Sequence, residues 1–224
     1  MDTSQTIYIL TYNTPHRKTY DTLCLLRTRG FDHVKVYAHR MTYKKRYHPL
    51  IQHRPQNIID YPDPEDICRN FGYDYKFISD YNEISDNGVF LLCGAGLLPD
   101  SLIRTNKIIN SHPGYIPYAR GLDAFKWEIY YDLPIGVTTH LIGEYIDAGE
   151  IIERREIEVE EYDTFHSAAE RVYQNEIDML VGSIDKVNKK HKYVCPLDGF
   201  PVHKRMPNKY EKMLYEKFER LKKP

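Results

Sequence analysis

Gly88-Val89-Phe90-Leu91-Leu92-Cys93-Gly94-Ala95-Gly96 is the stretch on which the fold turns. Its apolar part, Gly88–Cys93, shows no alternation, as expected of a strand buried on both faces at the centre of a parallel sheet. Gly94-Ala95-Gly96 then makes a tight turn, poor in side chains, at the carboxyl end of that strand. A dinucleotide-binding reading of these glycines fails. Pro99 stands where GxGxxG needs its third glycine, and the turn follows a late strand rather than the first. What remains is the edge of an open α/β sheet at which ligands bind.

Outward from this strand, short apolar runs alternate with helix-like stretches. Upstream, the pattern predicts strands at Ile7–Tyr12, His33–Ala38 and Tyr75–Ser79. Helices are predicted at Tyr20–Arg29, closed by Gly30, and around Pro64–Asn70. Downstream, Lys107–Asn110 reads as a strand, Leu122–Tyr131 as an amphipathic helix, and Gly136–Ile142 and Glu150–Val159 as strands. A long helix runs from Thr164, its cap, to about Lys186. Crossovers of this length argue for an α/β fold with a mostly parallel sheet covered on both faces. The stretch Met41–Tyr61 is polar, basic and aromatic, without periodicity, and is either a functional loop or an exposed insertion. The last residues read as a hairpin around Pro196-Leu197-Asp198-Gly199 and a basic helix. The expected division is a domain over 1–186 and an appendage over 187–224.

The chain has 224 residues, of which 42% are hydrophobic and 13% aromatic, ample for a buried core and unlike a disordered or fibrous chain. No apolar run approaches the roughly 20 residues of a membrane-spanning helix. Residues 1–5 lead directly into a strand, so the expectation is a cytoplasmic protein without a signal peptide. Charge nearly cancels, at 31 basic and 32 acidic residues, but not evenly: from Lys186 onward 12 basic residues face 4 acidic ones. Cys24, Cys68, Cys93 and Cys195 form no CxxC pair, which indicates neither a disulfide framework nor a zinc site.

The chemistry gathers around two short segments. In Asn110-Ser111-His112-Pro113, the amide and the imidazole sit two apart at a strand end and project to one face. In Gly136-Val137-Thr138-Thr139-His140, a strand ends seven residues before Asp147 of Ile146-Asp147-Ala148-Gly149. An amide, an imidazole and a carboxylate without a serine or cysteine nucleophile suit acyl transfer in which the substrate supplies the attacking atom. A metal site from His112, His140 and Asp147 has no known zinc spacing.

Taken together, Asn110-x-His112-Pro113, Ile116-Pro117-x-x-Arg120-Gly121, Gly136-Val137-Thr138-Thr139-His140 and Asp147-x-Gly149 resemble the signature of the formyltetrahydrofolate-dependent formyltransferases. That family includes glycinamide ribonucleotide, methionyl-tRNA and sugar-nucleotide N-formyltransferases, and the short sugar-nucleotide enzymes are the most similar. The match runs in order from Cys93 to Ile152.

The resemblance implies a Rossmann-like formyltransferase domain followed by a small C-terminal hairpin and helix. It implies a catalytic trio of Asn110, His112 and Asp147, with N10-formyltetrahydrofolate as co-substrate and no metal. The folate is expected against Gly94, Gly96, Leu97 and Leu98 on one side and Glu144, Tyr145 and Ile146 on the other. His140 is expected at that loop, paired with Asp147. A nucleotide-linked amino sugar, most like a dTDP-linked 3- or 4-amino-dideoxyhexose, is the expected acceptor, because cations suit a pyrophosphate and aromatics a base. Tyr12, Asn13, Arg17, Arg54, Tyr118, Arg120, Lys204 and Arg205 are its candidate contacts. The near-neutral charge and short tail disfavour tRNA. Glycinamide ribonucleotide formyltransferase, a formyltetrahydrofolate hydrolase and a non-catalytic folate or nucleotide-sugar binding module are the alternatives. The partners expected are small molecules and a second copy of the chain, with neither nucleic acid nor membrane.

Overall fold

The computed structural model describes residues 3–41, 48–54, 60–189 and 198–222. Two compact units are formed, one from 1–44, 57–110 and 180–190, the other from 45–56, 111–179 and 191–224. The chain enters each unit more than once.

In the first unit the strands β1 (Ile7–Tyr12), β2 (Val34–His39), β3 (Asp74–Ile78), β4 (Val89–Leu92) and β5 (Lys107–His112) alternate with the helices α1 (Arg17–Thr28), α2 (Pro64–Phe71) and α3 (Asp100–Thr105). The strand order is β3-β2-β1-β4-β5, and every pairing is parallel. β4 lies between β1 and β5, and its Phe90 and Leu91 are completely buried. The apolar run therefore occupies the central place its composition predicts. Tyr8 stacks on Phe90 with ring centres 4.7 Å apart.

α1 begins at Arg17, before the expected Tyr20. Its first turn is buried through polar contacts, with Thr19 bonded to Thr11 and to His16 Nδ1. A hydrophobic pattern cannot register such contacts. α2 has Pro64 at its start and a left-handed Gly72 at its end, the arrangement that favours a short, sharply bounded helix. α3 starts only at Asp100, leaving Leu97 and Leu98 in the preceding loop.

The second unit contains the last two residues of β5, then β6 (Arg120–Gly121), α4 (Ala124–Tyr130), β7 (Gly136–Leu141), β8 (Ile151–Glu156) and most of α5 (Phe165–Gly182). β7 and β8 pair antiparallel with an irregularity between Thr139 and His140. Thr164 caps α5 as expected: its hydroxyl accepts the Ser167 N–H at 3.0 Å, and Ser167 returns a contact to the Thr164 N–H. Phe125, Trp127, Ile129, Val137, Val172, Leu214 and Phe218 share one apolar core.

The tail adds β9 (Val202–His203), α6 (Asn208–Glu211) and α7 (Leu214–Leu221). β9 pairs in parallel with β6. Residues 190–197 lie outside the described residues, and with them Pro196 and Leu197 of the expected hairpin. α4 holds the tail: Trp127 Nε1 donates to the Lys204 carbonyl at 2.9 Å, and Lys126 pairs with Glu211, both fully buried. Among the described residues no helix is long and apolar enough to cross a membrane.

Candidate active site

β5 runs two residues further than the sequence predicts, to His112. Asn110 and His112 are therefore both strand residues, and the two-residue repeat of the strand sends their side chains to the same side. Asn110 is half-buried, whereas His112 is 5% exposed.

In the second unit, His112 and His140 flank one carboxylate. His112 Nδ1 lies 3.5 Å from Asp147 Oδ2, and His140 Nε2 lies 3.5 Å from Asp147 Oδ1. The other nitrogen of each ring faces a backbone carbonyl. His112 Nε2 is 2.9 Å from the Ala119 oxygen, and His140 Nδ1 is 2.9 Å from the Leu141 oxygen. A carbonyl only accepts, so on His112 the hydrogen sits on Nε2 and the Nδ1 lone pair of the neutral ring faces Asp147. Such an arrangement gains attraction when a proton arrives on that imidazole. It is built to receive one.

The electrostatics agree. Burial works against charge on Asp147, but His112, His140 and the Gly121 N–H together hold its carboxyl below the usual range. For His112 burial dominates and pushes the imidazole down, against the favourable influence of Asp147 and the Ala119 carbonyl. The resting pair is a carboxylate beside a neutral imidazole.

Asp147 is held by backbone as well. It adopts a left-handed conformation with φ 46°, which asparagine and aspartate tolerate better than other side chains. The Gly121 N–H donates to its Oδ2 at 2.9 Å. Next to it, Arg120 donates to the Ile146 carbonyl at 3.0 and 2.6 Å and to the Phe200 carbonyl at 3.2 Å. Gly114 permits the close return of the chain to His112: a Cβ there would stand 2.6 Å from His112 Nε2 and 2.7 Å from the Ala119 oxygen.

The remaining expected contacts divide by unit. In the first, Tyr12 donates to the Ala95 carbonyl at 2.8 Å and Tyr81 accepts the Gly96 N–H at 3.1 Å, so two tyrosines shape the Gly94–Gly96 turn. Leu97 is 95% exposed and Leu98 half-buried. Asn13 has its Oδ1 buried without a hydrogen-bond partner among the described residues, and Arg17 pairs with Asp21 at 3.2 Å.

In the second unit Glu144, Tyr145 and Ile146 are exposed, as a ligand-facing loop requires. Tyr118 is exposed and meets Phe200 edge-on at 5.6 Å. Arg54 pairs with the buried Glu176 at 3.1 Å, and Arg205 lies 3.6 Å from Asp123. Lys204 is exposed. Arg120, expected on the acceptor side, is 3% exposed and spends its guanidinium on backbone carbonyls. The basic residues Lys44, Lys45 and Arg46 lie outside the described residues. Sequence reasoning missed the Ala119 carbonyl and the Gly121 N–H, because backbone groups leave no trace in side-chain identity.

The family described as formyl transferase matches residues 43–184, more than half of the chain. The chain belongs to the formyl transferase family. Over 83 residues it is 34% identical to a phosphoribosylglycinamide formyltransferase of Bacillus subtilis, covering 36% of this chain and 43% of that protein. Over 89 residues it is 33% identical to a dTDP-4-amino-4,6-dideoxyglucose formyltransferase of Mycobacterium bovis, covering 40% of this chain and 38% of that one. The matched stretches thus span less than half of either relative. A sugar 3N-formyl transferase solved in the presence of dTDP and 5-N-formyl-THF shares the fold at a TM-score of 0.63 and 16% identity, over 89% of this chain and 69% of that one. The expected Rossmann-like, mostly parallel α/β architecture is the one found.

Proposed function

We propose that the chain moves the formyl group of N10-formyltetrahydrofolate to the amine of a dTDP-linked amino-dideoxyhexose, either dTDP-4-amino-4,6-dideoxyglucose or its 3-amino isomer. The observation that carries this reading is a carboxylate set between two imidazoles, with a ring nitrogen of each 3.5 Å from one of its oxygens. Family membership gives the reaction class, and the mycobacterial relative supports the acceptor. With these substrates the reaction belongs in the cytoplasm.

In this reading the acceptor nitrogen attacks the formyl carbon, and the carbonyl oxygen takes up negative charge. Asn110 donates its amide hydrogens to that oxygen, a contribution of about 3–4 kcal/mol in comparable acyl transfers. His112 takes the proton leaving the amine, and Asp147 stabilises the resulting positive charge. The proton returns to the folate nitrogen as its bond to the formyl carbon breaks, so a formamide and tetrahydrofolate leave. The candidate folate contacts are Gly96, Leu97 and Leu98 of the first unit and Glu144, Tyr145 and Ile146 of the second. The candidate acceptor contacts are Tyr12, Asn13 and Arg17 of the first and Tyr118, Lys204 and Arg205 of the second.

The deciding assay offers the purified protein N10-formyltetrahydrofolate with each sugar nucleotide and with glycinamide ribonucleotide, and reads the acceptor's mass gain of one CO. Gain on a sugar nucleotide alone supports the reading. Gain on glycinamide ribonucleotide reassigns the acceptor, and folate loss without acceptor gain means a hydrolase.

The pH dependence follows from the site. Burial disfavours the imidazolium, so His112 stays neutral and able to accept a proton below the ordinary histidine value of 6.5. The acidic limb of kcat is therefore expected below that pH. A limb above it, measured with saturating substrates, would contradict a neutral His112 as base.

A further inference from the structure

The carboxyl of Glu128, on α4, is completely buried, yet the proton path above does not use it. It accepts the N–H of Tyr115, and a second N–H, from Gly136, also donates to it. Its Oε2 has no hydrogen-bond partner among the described residues. A buried carboxyl with one unsatisfied oxygen is a costly way to hold two backbone groups. What those groups position is therefore informative.

Tyr115 opens a turn that returns to the active site. Its carbonyl accepts the N–H groups of Tyr118 at 3.0 Å and Ala119 at 3.3 Å. The Ala119 carbonyl in turn accepts from His112 Nε2 at 2.9 Å. From Glu128 to His112 there is thus a path of three hydrogen bonds, through Tyr115 and Ala119. A second support acts on the same span. The Thr138 hydroxyl accepts the Ile116 N–H at 3.0 Å and donates to the Gly114 carbonyl at 2.9 Å. Arg154 donates to the Ile116 carbonyl at 3.2 Å and lies over the Tyr115 ring.

We infer that Glu128 is a positioning residue for His112: it seats Tyr115, and through the 115–119 turn it sets the carbonyl that keeps the His112 hydrogen on Nε2 and the lone pair toward Asp147. Glu128 touches no reacting atom. Burial raises its carboxyl well above the usual range, which favours the uncharged acid, and glutamine is the uncharged side chain closest to it in shape.

The activity arm of the test rests on the formyl-transfer reading; the tautomer arm does not. Nitrogen-15 spectra of the histidine side chains, with the His112 signals assigned by their loss in His112→Ala, report which ring nitrogen carries hydrogen. Wild type and Glu128→Gln should both show His112 protonated on Nε2. Glu128→Ala should show a mixture of tautomers. In turnover, Glu128→Ala should lower kcat by about 10²-fold, the scale of a small displacement of a catalytic group. KM for the folate should stay unchanged, and Glu128→Gln should stay close to wild type. A Glu128→Ala protein that keeps both the Nε2 tautomer and wild-type kcat overturns the inference. So does a Glu128→Gln protein as impaired as the alanine variant. If Glu128→Ala does not fold, Thr138→Val releases the same span from its other support and should mix the tautomers; a retained single tautomer then overturns it. If wild type proves inactive on every acceptor, formyl transfer fails while the spectra still decide the role of Glu128.

Discussion

For the proposed formyl transfer, exchanging Asp147 for asparagine is expected to lower kcat by about 10³-fold, within the range that a positioned acid–base group contributes. The substitution isolates the charge. Asparagine accepts the left-handed backbone at φ 46°, and its side-chain oxygen can still take the Gly121 N–H. What disappears is the negative charge between His112 Nδ1 and His140 Nε2, each 3.5 Å away. The proton leaving the amine then reaches an imidazole with nothing to stabilise its charged form. Affinity for the folate should hold, because only the charge and not the shape of the loop has changed. Single-turnover formyl transfer with a parallel folate titration checks both. Wild-type turnover in Asp147→Asn would remove the carboxylate from the mechanism.

The same variant has a stability signature whose sign can be worked out. The folded-state pKa of Asp147 is held below the ordinary aspartate value of 3.8, so its stabilising contribution is present above that pH and is lost as pH falls through the folded-state value. The difference in unfolding free energy between wild type and Asp147→Asn should therefore shrink in acid. Its growth in acid would contradict the lowered pKa.

Gly149→Ala is expected to produce the other large effect. A Cβ at position 149 would stand 1.7 Å from the Leu141 oxygen and 2.8 Å from the Leu141 carbonyl carbon. Neither atom is a flexible side-chain end, so the end of β7 must move. The Leu141 carbonyl is also the group that His140 Nδ1 faces, and the Leu141 N–H donates to the Glu150 carbonyl at 2.9 Å. A displacement there reaches His140 and then Asp147. The expected loss of stability is at least about 3 kcal/mol, the upper range for forcing extra volume into packed structure. Turnover of the fraction that remains folded should fall as well, since the imidazole opposite Asp147 has lost its seat. Urea unfolding and activity at low temperature separate the two. A variant that melts and turns over like wild type would show that Leu141 is not held where it lies.

Much of this was legible in the chain. The unbroken run of β4, the close of α1 at Gly30, the short helix around Pro64 and the Thr164 cap are local signals that the structure keeps. The approach of His112 and His140 to Asp147 was legible through the family motifs that contain all three. Polar packing was not: the buried first turn of α1 rests on Thr19 and Thr11, residues that read as surface in any hydrophobic pattern. The short strand at Arg120–Gly121 was invisible for another reason. Two residues have no period, and β6 exists only because β9, some 80 residues later, pairs with it. For the same reason Arg120 was read as a ligand contact. A basic residue in a motif suggests an anion, whereas the partners it holds are backbone carbonyls.

That single guanidinium has a consequence for engineering the molecule. Arg120 grips the Ile146 carbonyl, next to Asp147, and with the same head group the Phe200 carbonyl of the tail. The tail is consequently not an exchangeable module. A chimera that imports residues 198–222 from another protein must also deliver a carbonyl where Phe200 presents one, or leave a buried cation half-satisfied one residue away from the carboxylate. Crossover points that keep 120, 146 and 200 from one parent avoid that mismatch.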